Sequence, residues 1–179
     1  VALAKQGFTV ALVDRKFPIV ELTNGDWDSR IYAISPGNAD WLKSLGVWQR
    51  MNAERITPIA KMQIWGDANA EALNFNAEDV FADNLGYILE NRALQQAFWD
   101  ELQTLDVDVM IGAEGASVEL NEQQATLQLA DDTQLKAKLM MAADGGNSWV
   151  RAQAGLSQQK IIYEHVGVVA NFEVELPHQ

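Results

Sequence analysis

Residues 139–156, LMMAADGGNSWVRAQAGL, constrain the fold of this chain more than any other stretch. They open on five consecutive apolar residues, which suits a strand buried on both faces of a mainly parallel sheet. The run stops at Asp144, Gly145 and Gly146, where the chain must turn. Asn147 or Ser148 then caps a short helix through Arg151 and Ala154, and Gly155 followed by Leu156 supplies a left-handed helix end with its apolar contact. The reading is strand, tight turn, helix. In open α/β sheets ligands bind outside the carboxyl ends of strands, so Asp144 stands where a ligand is met. The glycines beside it let that ligand approach the backbone, and the next helix offers its first N–H groups to an anion. The same residues also suit a plain polar turn ahead of a capped helix.

A second stretch repeats the theme. Val1 to Gly7 reads as the last turns of a helix ending at glycine, and residues 8–13 (FTVALV) form a nearly unbroken apolar strand that ends at Asp14. Helix end, buried strand and terminal acid make the second half of a dinucleotide-binding βαβ unit, in which the acid bonds a ribose hydroxyl. The glycine-rich turn of such a unit lies about 20 residues before the acid, upstream of Val1. The opening therefore reads as truncated.

Residues 17–28, with Pro18, Asn24 and Gly25, read as a loop. Arg30 leads a short strand into Ser35-Pro36-Gly37, where Ser35 suits an N-cap and Pro36 the first helical position. Ala39, Leu42 and Leu45 form the apolar stripe of that helix, and Gly46 closes it. Arg30 is either an ordinary surface charge or a fork for two phosphate oxygens. Residues 61–65 and 72–76 alternate apolar and polar, with Met62, Ile64, Leu73 and Phe75 on one face, and turn at Gly66-Asp67-Ala68-Asn69; they predict a hairpin outside the parallel core. A strand at 86–90 precedes a helix that Asn91 would cap, with Leu94, Ala97 or Phe98, Leu102 and Leu105 inward. Arg92 falls in its first turn, where a cation opposes the helix dipole and needs solvent or an anion, solvent being the default.

After a strand at 107–111 the period changes to two. Val118 and Leu120, Leu127 and Leu129, and Leu135 and Ala137 predict a three-stranded antiparallel meander with one wet face. Val166, Val168, Ala170, Phe172, Val174 and Leu176 predict a long half-buried strand whose partner sheet is missing, so the carboxyl end also reads as cut.

Composition bounds the function. A net charge of −12 argues against a nucleic-acid surface, and the absence of cysteine leaves no disulfide, redox dithiol or thiolate metal site. No apolar run spans a bilayer and no charged leader precedes one. His165 and His178 pair with no nucleophile or metal-like cluster, so neither a catalytic acid–base residue nor a metal ligand is nominated. The tryptophans are scattered rather than spaced as a stacking platform.

Four segments together, GFTVALVD at 7–14, DSRIYAIS at 28–35 with LKSLGVW at 42–48, GYILENRALQQAFW at 86–99 and AADGGNSWVR at 142–151, carry a resemblance over essentially the whole chain. It resembles the FAD-dependent aromatic-ring hydroxylases of the para-hydroxybenzoate hydroxylase type, in their ubiquinone-biosynthesis branch. The implied fold is α/β: a partial FAD-binding, Rossmann-like three-layer parallel sheet, with an antiparallel β-meander and the start of a mixed-sheet substrate domain. The implied organisation is a partial FAD-binding region at 1–60, a substrate-side hairpin segment at 61–90, an FAD-binding region with meander and Asp-Gly motif at 91–160, and the start of the substrate-domain sheet at 161–179. Carried over position by position, Asp14 matches the acid on the adenosine ribose and Arg30 an arginine near the pyrophosphate and ribityl chain. Arg92 matches one facing the flavin, and Asp144 with Gly145 the Asp-Gly motif that supports the pyrophosphate region. The resemblance implies a fragment of a monooxygenase that hydroxylates the ring of a polyprenyl phenol or quinol through a flavin hydroperoxide, with NAD(P)H as electron donor. It further implies a place in a multiprotein ubiquinone-biosynthesis assembly, in the cytoplasm and peripheral at the inner face of the membrane. Two other readings stay open: an NAD-dependent Rossmann oxidoreductase, since Asp14 would serve NAD as well, and a non-catalytic interaction module that no longer binds cofactor.

Overall fold

The computed structural model describes residues 1–17, 27–66 and 72–175. In chain order the elements are helix α1 (Ala2–Lys5), strands β1 (Ala11–Asp14) and β2 (Ile31–Ile34), helix α2 (Pro36–Ser44), strands β3 (Thr57–Ile59), β4 (Lys61–Ile64), β5 (Leu73–Asn76) and β6 (Gly86–Glu90), helix α3 (Asn91–Leu102), strands β7 (Asp108–Ile111), β8 (Gly115–Leu120), β9 (Ala125–Leu129) and β10 (Gln134–Ala137), and helix α4 (Trp149–Gln153). Short 3-10 turns occupy Trp48–Arg50, Ala53–Arg55 and Ala77–Val80. The fold is mixed α/β, with one parallel strand pair, β1 with β7, and antiparallel pairing elsewhere among the described residues. It divides into two compact units, one of Val1–Val10, Pro18–Val107 and Val168–Gln179, the other of Ala11–Phe17 and Asp108–Gly167. Asp67, Ala68 and Asn69 of the expected hairpin turn lie outside the described residues, as do Pro18, Asn24, Gly25, Leu176 and His178.

The first unit is built on an antiparallel sheet in the order β2-β6-β3, with β6 central. Helix α2 forms as its local signals dictate. Ser35 accepts the Asn38 N–H on its Oγ, Pro36 occupies the first turn, and the end closes at Gly46 with the Val47 N–H donating to the Leu42 carbonyl at 3.1 Å. Its stripe of Ala39, Leu42 and Leu45 is buried as the spacing predicts, and joins Val47, Met51, Leu89 and Ala97 in the core. Val47 and Leu89 are 0% and 1% exposed, and burial of such side chains contributes about 1.5–3 kcal/mol each. Trp48 packs edge-on against Tyr87, with ring centroids 4.9 Å apart.

Helix α3 follows β6 without a linker. Asn91 does not cap it: Glu90 holds the cap position, and Asn91 is already helical. The Asn91 side chain instead accepts the Tyr32 hydroxyl from β2 at 2.9 Å, a partner that its sequence neighbours do not reveal. Ala97 and Leu102 of α3 are buried, with Leu94 and Phe98 packed against the core. On the same helix Glu101, 5% exposed, takes Lys5 Nζ on Oε1 and Arg50 Nε on Oε2, both at 2.6 Å. Strands β4 and β5 form the predicted hairpin, pairing Met62 with Phe75 and Ile64 with Leu73. All four side chains are exposed.

In the second unit β1 and β7 pair in parallel, Leu12 opposite Val109. Strands β8, β9 and β10 make the expected meander, in which Val118, Leu127 and Leu135 stand opposite one another across all three strands. Asn121 Oδ1 accepts the N–H groups of Gln123 and Gln124, and Asp131 Oδ1 that of Thr133, which fixes the two turns. Ser148 caps α4 through the Arg151 N–H, and the helix closes at Gly155 with the Leu156 N–H on the Arg151 carbonyl, the end its sequence predicts. Trp149 lies directly over Gly115 of β8: a Cβ there would stand 2.6 Å from its Cζ3.

Three expected strands differ from the structure. The strand expected over 8–13 is confined to Ala11–Asp14, and Phe8 and Leu12 are exposed, because β1 has β7 on one edge and no described strand on the other. Residues 139–143, expected as a strand buried on both faces, form no strand, and Leu139 is 72% exposed. Residues 166–175 likewise form no strand and are exposed throughout. In all three cases the apolar pattern is present, but burial requires neighbouring strands that the described residues do not supply.

Two outcomes follow from these contacts. Lys5 first, and then Arg50, hold the Glu101 carboxyl below its ordinary value of 4.5, so the stability it contributes is present above that value and is lost as pH falls through the lower folded value. Urea unfolding followed against pH will show a stability loss below about 4.5 that is shallower in Glu101→Gln, and Glu101→Ala at neutral pH will cost about 3 kcal/mol, the low end for breaking a buried pair because both cations keep partial solvent contact. Gly115→Ala will destabilise the second unit by about 1–3 kcal/mol through its clash with Trp149, and Trp149→Phe, lacking the outer ring, will relieve most of that loss in the double variant when melting curves are compared.

Candidate functional site

Two of the residues singled out by sequence, Arg30 and Arg92, are brought together in the first unit by an aspartate that sequence reasoning did not single out. Asp28 lies in the segment ahead of β2. Its Oδ1 accepts the Arg30 N–H and its Oδ2 the Arg92 N–H, each at 3.0 Å, the second from 64 residues further along the chain. Arg92 Nε stands 3.5 Å from the same Oδ2, so the anion at this first-turn cation is Asp28, where solvent was the default expectation. The Arg30 N–H, followed by the Arg92 N–H and the Arg92 charge, holds the Asp28 carboxyl below its ordinary value, with desolvation opposing. The Arg30 guanidinium is exposed, with its carbon 5.8 Å from the centroid of the Tyr32 ring and no ion-pair partner among the described residues.

Asp28 is itself held from behind. Its N–H donates to Glu90 Oε2 at 2.8 Å, and Glu90, 3% exposed at the end of β6, receives the Arg55 fork at 2.6 Å on Oε1 and 2.8 Å on Oε2. Arg55 also lies 4.1 Å above the Trp27 ring. The available signal for this cluster was Asp28 two residues before Arg30 and a glutamate closing an apolar strand. Neither names its partner.

In the second unit Asp14 stands at the carboxyl end of β1, exposed, as the βαβ reading places it. Its Oδ1 accepts the Lys16 N–H at 3.0 Å, and Oδ2 carries no hydrogen bond among the described residues. Asp144 is engaged differently. The Ser148 hydroxyl donates to its Oδ1 and the Val150 N–H to its Oδ2, and these two bonds, Ser148 first, hold its carboxyl below the ordinary value. The first N–H groups of α4 expected to face an anion are thus taken up by the protein: Val150 by Asp144 and Arg151 by Ser148. Gly145 adopts φ +88°, a conformation that favours glycine, and a Cβ added at Gly145 or Gly146 would meet nothing within 4 Å, so the turn presents open backbone. No hydrogen bond or ion pair among the described residues joins Asp14 to Asp144. Among those residues no cluster of three or more metal-ligating side chains forms.

Comparison with known proteins agrees with this arrangement of elements. A family model for the FAD binding domain matches residues 1–178. The 3-demethoxyubiquinol 3-hydroxylase of Escherichia coli (strain K12) is 34% identical over 156 residues, covering 86% of this chain and 39% of that protein. The mitochondrial ubiquinone biosynthesis monooxygenase COQ6 of Xenopus tropicalis is 35% identical over 159 residues, covering 83% of this chain and 34% of that protein. The chain thus spans about two-fifths or less of the length of these curated relatives. Among solved structures, p-nitrophenol 4-monooxygenase PnpA from Pseudomonas putida DLL-E4 shares the fold with a TM-score of 0.68 at 18% identity, over 90% of this chain and 41% of that one. With the family model covering residues 1–178, the chain belongs to the FAD binding domain family.

Proposed function

We propose that this chain is the FAD-binding portion of a monooxygenase that hydroxylates the aromatic ring of a polyprenyl ubiquinone precursor. The observation that carries the reading is the match to the FAD binding domain across residues 1–178, coupled to relatives that are named ubiquinone hydroxylases and monooxygenases.

The residues present suit FAD by their chemistry. Asp14 keeps a carboxylate oxygen open for ribose hydroxyls at a strand end, which is where nucleotide sugars are held. Arg30 offers phosphate oxygens an exposed planar fork with no ion-pair partner among the described residues. Gly145 leaves its backbone open for close approach, and Asp144 supports it by pinning the start of α4 through Ser148 and Val150. Arg92, held by Asp28, would be the cation that faces the flavin, the role the resemblance gives it. FAD when bound supplies the oxygen-activating redox chemistry, with NAD(P)H as reductant, and the chain's own residues bind and orient it. No acid–base residue of this chain is assigned.

An NAD-dependent dehydrogenase would use Asp14 in the same way, but the antiparallel β8-β9-β10 meander followed by the Asp144 turn is foreign to a simple Rossmann domain. A module without cofactor would keep the fold and show no ligand response. A polyprenyl tail partitions into lipid, so the reading extends to a cytoplasmic protein working at a membrane surface, in an assembly with other enzymes of ubiquinone synthesis. No helix among the described residues is long and apolar enough to cross a membrane. The domain reading follows from the same roles, with 61–90 on the substrate side, 161–179 beginning the substrate sheet, and 1–60 with 91–160 forming the FAD-binding regions.

Thermal melts with added ligand test the cofactor. FAD at one hundred times its dissociation constant will stabilise the protein by about 2.7 kcal/mol, NAD at the same concentration will not, and Asp14→Ala will reduce the FAD shift. A melting temperature indifferent to FAD would leave the module reading standing. Co-sedimentation with anionic liposomes carrying a polyprenyl phenol will exceed that with liposomes lacking it, and equal pelleting would remove the membrane part of the reading.

A further inference from the structure

We infer that Asp28 is a positioning residue for cofactor binding: its single carboxylate fixes the backbone of Arg30 and Arg92 together and assigns the two cations different tasks. The inference rests on the FAD reading and deepens it. Geometry supplies the argument. Each Asp28 oxygen accepts one backbone N–H at 3.0 Å, from Arg30 on one side and Arg92 on the other, so the two arginines share one rigid anchor although they come from distant parts of the chain. That anchor cannot swing. Its own N–H is held by Glu90, which the Arg55 fork locks in a buried position.

The division of labour follows from charge. Arg92 stands within ion-pair distance of Asp28, which offsets the penalty of a cation in the first turn of α3 and partly neutralises it. Arg30 receives only a backbone bond from Asp28, and its exposed guanidinium has no carboxylate partner among the described residues. The Arg30 guanidinium, without a carboxylate partner among the described residues, is thus open to an anionic group of the cofactor, whereas Arg92 meets the cofactor as a cation already within ion-pair distance of Asp28. Holding both backbones and the Arg92 side chain before a phosphate-bearing ligand arrives lowers the ordering cost that binding would otherwise incur.

The test is FAD affinity, read from quenching of flavin fluorescence on titrating FAD with the apoprotein, at a temperature where circular dichroism shows every variant folded. Asp28→Ala will weaken binding by about ten- to hundredfold, as expected when hydrogen bonds to a charged group are lost. Asp28→Asn, which keeps one acceptor oxygen for one of the two N–H donors and disturbs folding less, will fall between parent and Asp28→Ala. In an Arg30→Ala/Arg92→Ala background, Asp28→Ala will change affinity by less than about twofold, since the residue acts through those arginines. A residue that served folding alone would lower the melting temperature and leave affinity of the folded protein unchanged. Parent-like affinity in both Asp28 variants, or an equal loss with and without the arginines, overturns the inference while leaving the cofactor reading intact. A parent protein that takes up no FAD overturns the cofactor reading, and this inference with it.

Discussion

A buried carboxylate at the end of the central strand governs the first unit. Glu90 is 3% exposed, and a lone anion in such a place would cost several kcal/mol. Here both oxygens are bound by the Arg55 fork, and Oε2 also accepts the Asp28 N–H. The geometry is bidentate and the donors are charged, which is the arrangement in which a buried pair compensates its desolvation. Removing Arg55 would leave the buried Glu90 carboxylate without its cation, so the turn at Ala53–Arg55, the segment at 27–30 and the end of β6 are obliged to stay together. The placement of Asp28, and through it of Arg30 and Arg92, follows from that obligation.

Helix α3 collects charge at both ends for the same reason. At its amino end Asp28 meets the Arg92 N–H and the positive pole of the helix dipole, a favourable site for an anion. Arg92 at that position is unfavourable for the dipole, and the nearby carboxylate offsets it. Towards the carboxyl end, Glu101 draws in Lys5 from α1 and Arg50 from the turn after α2. The apolar core of Leu42, Leu45, Val47, Met51, Leu89 and Ala97 supplies the non-directional part of the stability. The two buried glutamates supply direction, because each is satisfied by one set of partners only.

What could be read from the sequence was what is encoded locally. Helix α2 has its cap, its proline, its apolar spacing and its terminal glycine all within a dozen or so residues, and the structure agrees at each point. The meander is equally local, since its tight turns fix the register of neighbouring strands, and the Met62–Phe75 hairpin is legible from alternation within its two strands. The stretches at 139–143 and 166–175 were misread for the complementary reason: an apolar run states a demand for burial, whereas a strand exists only where another strand meets it. The cap of α3 was misread because Asn91 is a plausible local cap, yet Tyr32 claims its side chain and Asp28 takes over the capping bond from 64 residues away. Asp14 stands at a strand end, where local patterning put it, and the Gly145 turn forms ahead of α4 but without the strand that patterning placed before it. The partner that fixes Arg30 and Arg92 did not emerge from patterning at all.

The three aspartates at the candidate sites differ in what they have left to offer. Asp28 and Asp144 each use both oxygens on hydrogen-bond donors of the protein, so neither has an unengaged oxygen for a ribose hydroxyl. Asp14 uses one oxygen on the Lys16 N–H and keeps the other. For a chain of net charge −12 that is to hold an anionic diphosphate, this distribution matters. A carboxylate facing the phosphates would repel them, whereas one bonded to N–H and O–H donors is stabilised as the anion and lends rigidity to the cations and open glycines around it. On the cofactor reading, then, Asp28 serves the arginines of the first unit and Asp144 the open glycines of the second, each within its own unit. Of the three, Asp14 keeps an oxygen with no hydrogen bond among the described residues, the most open position for a direct sugar ligand.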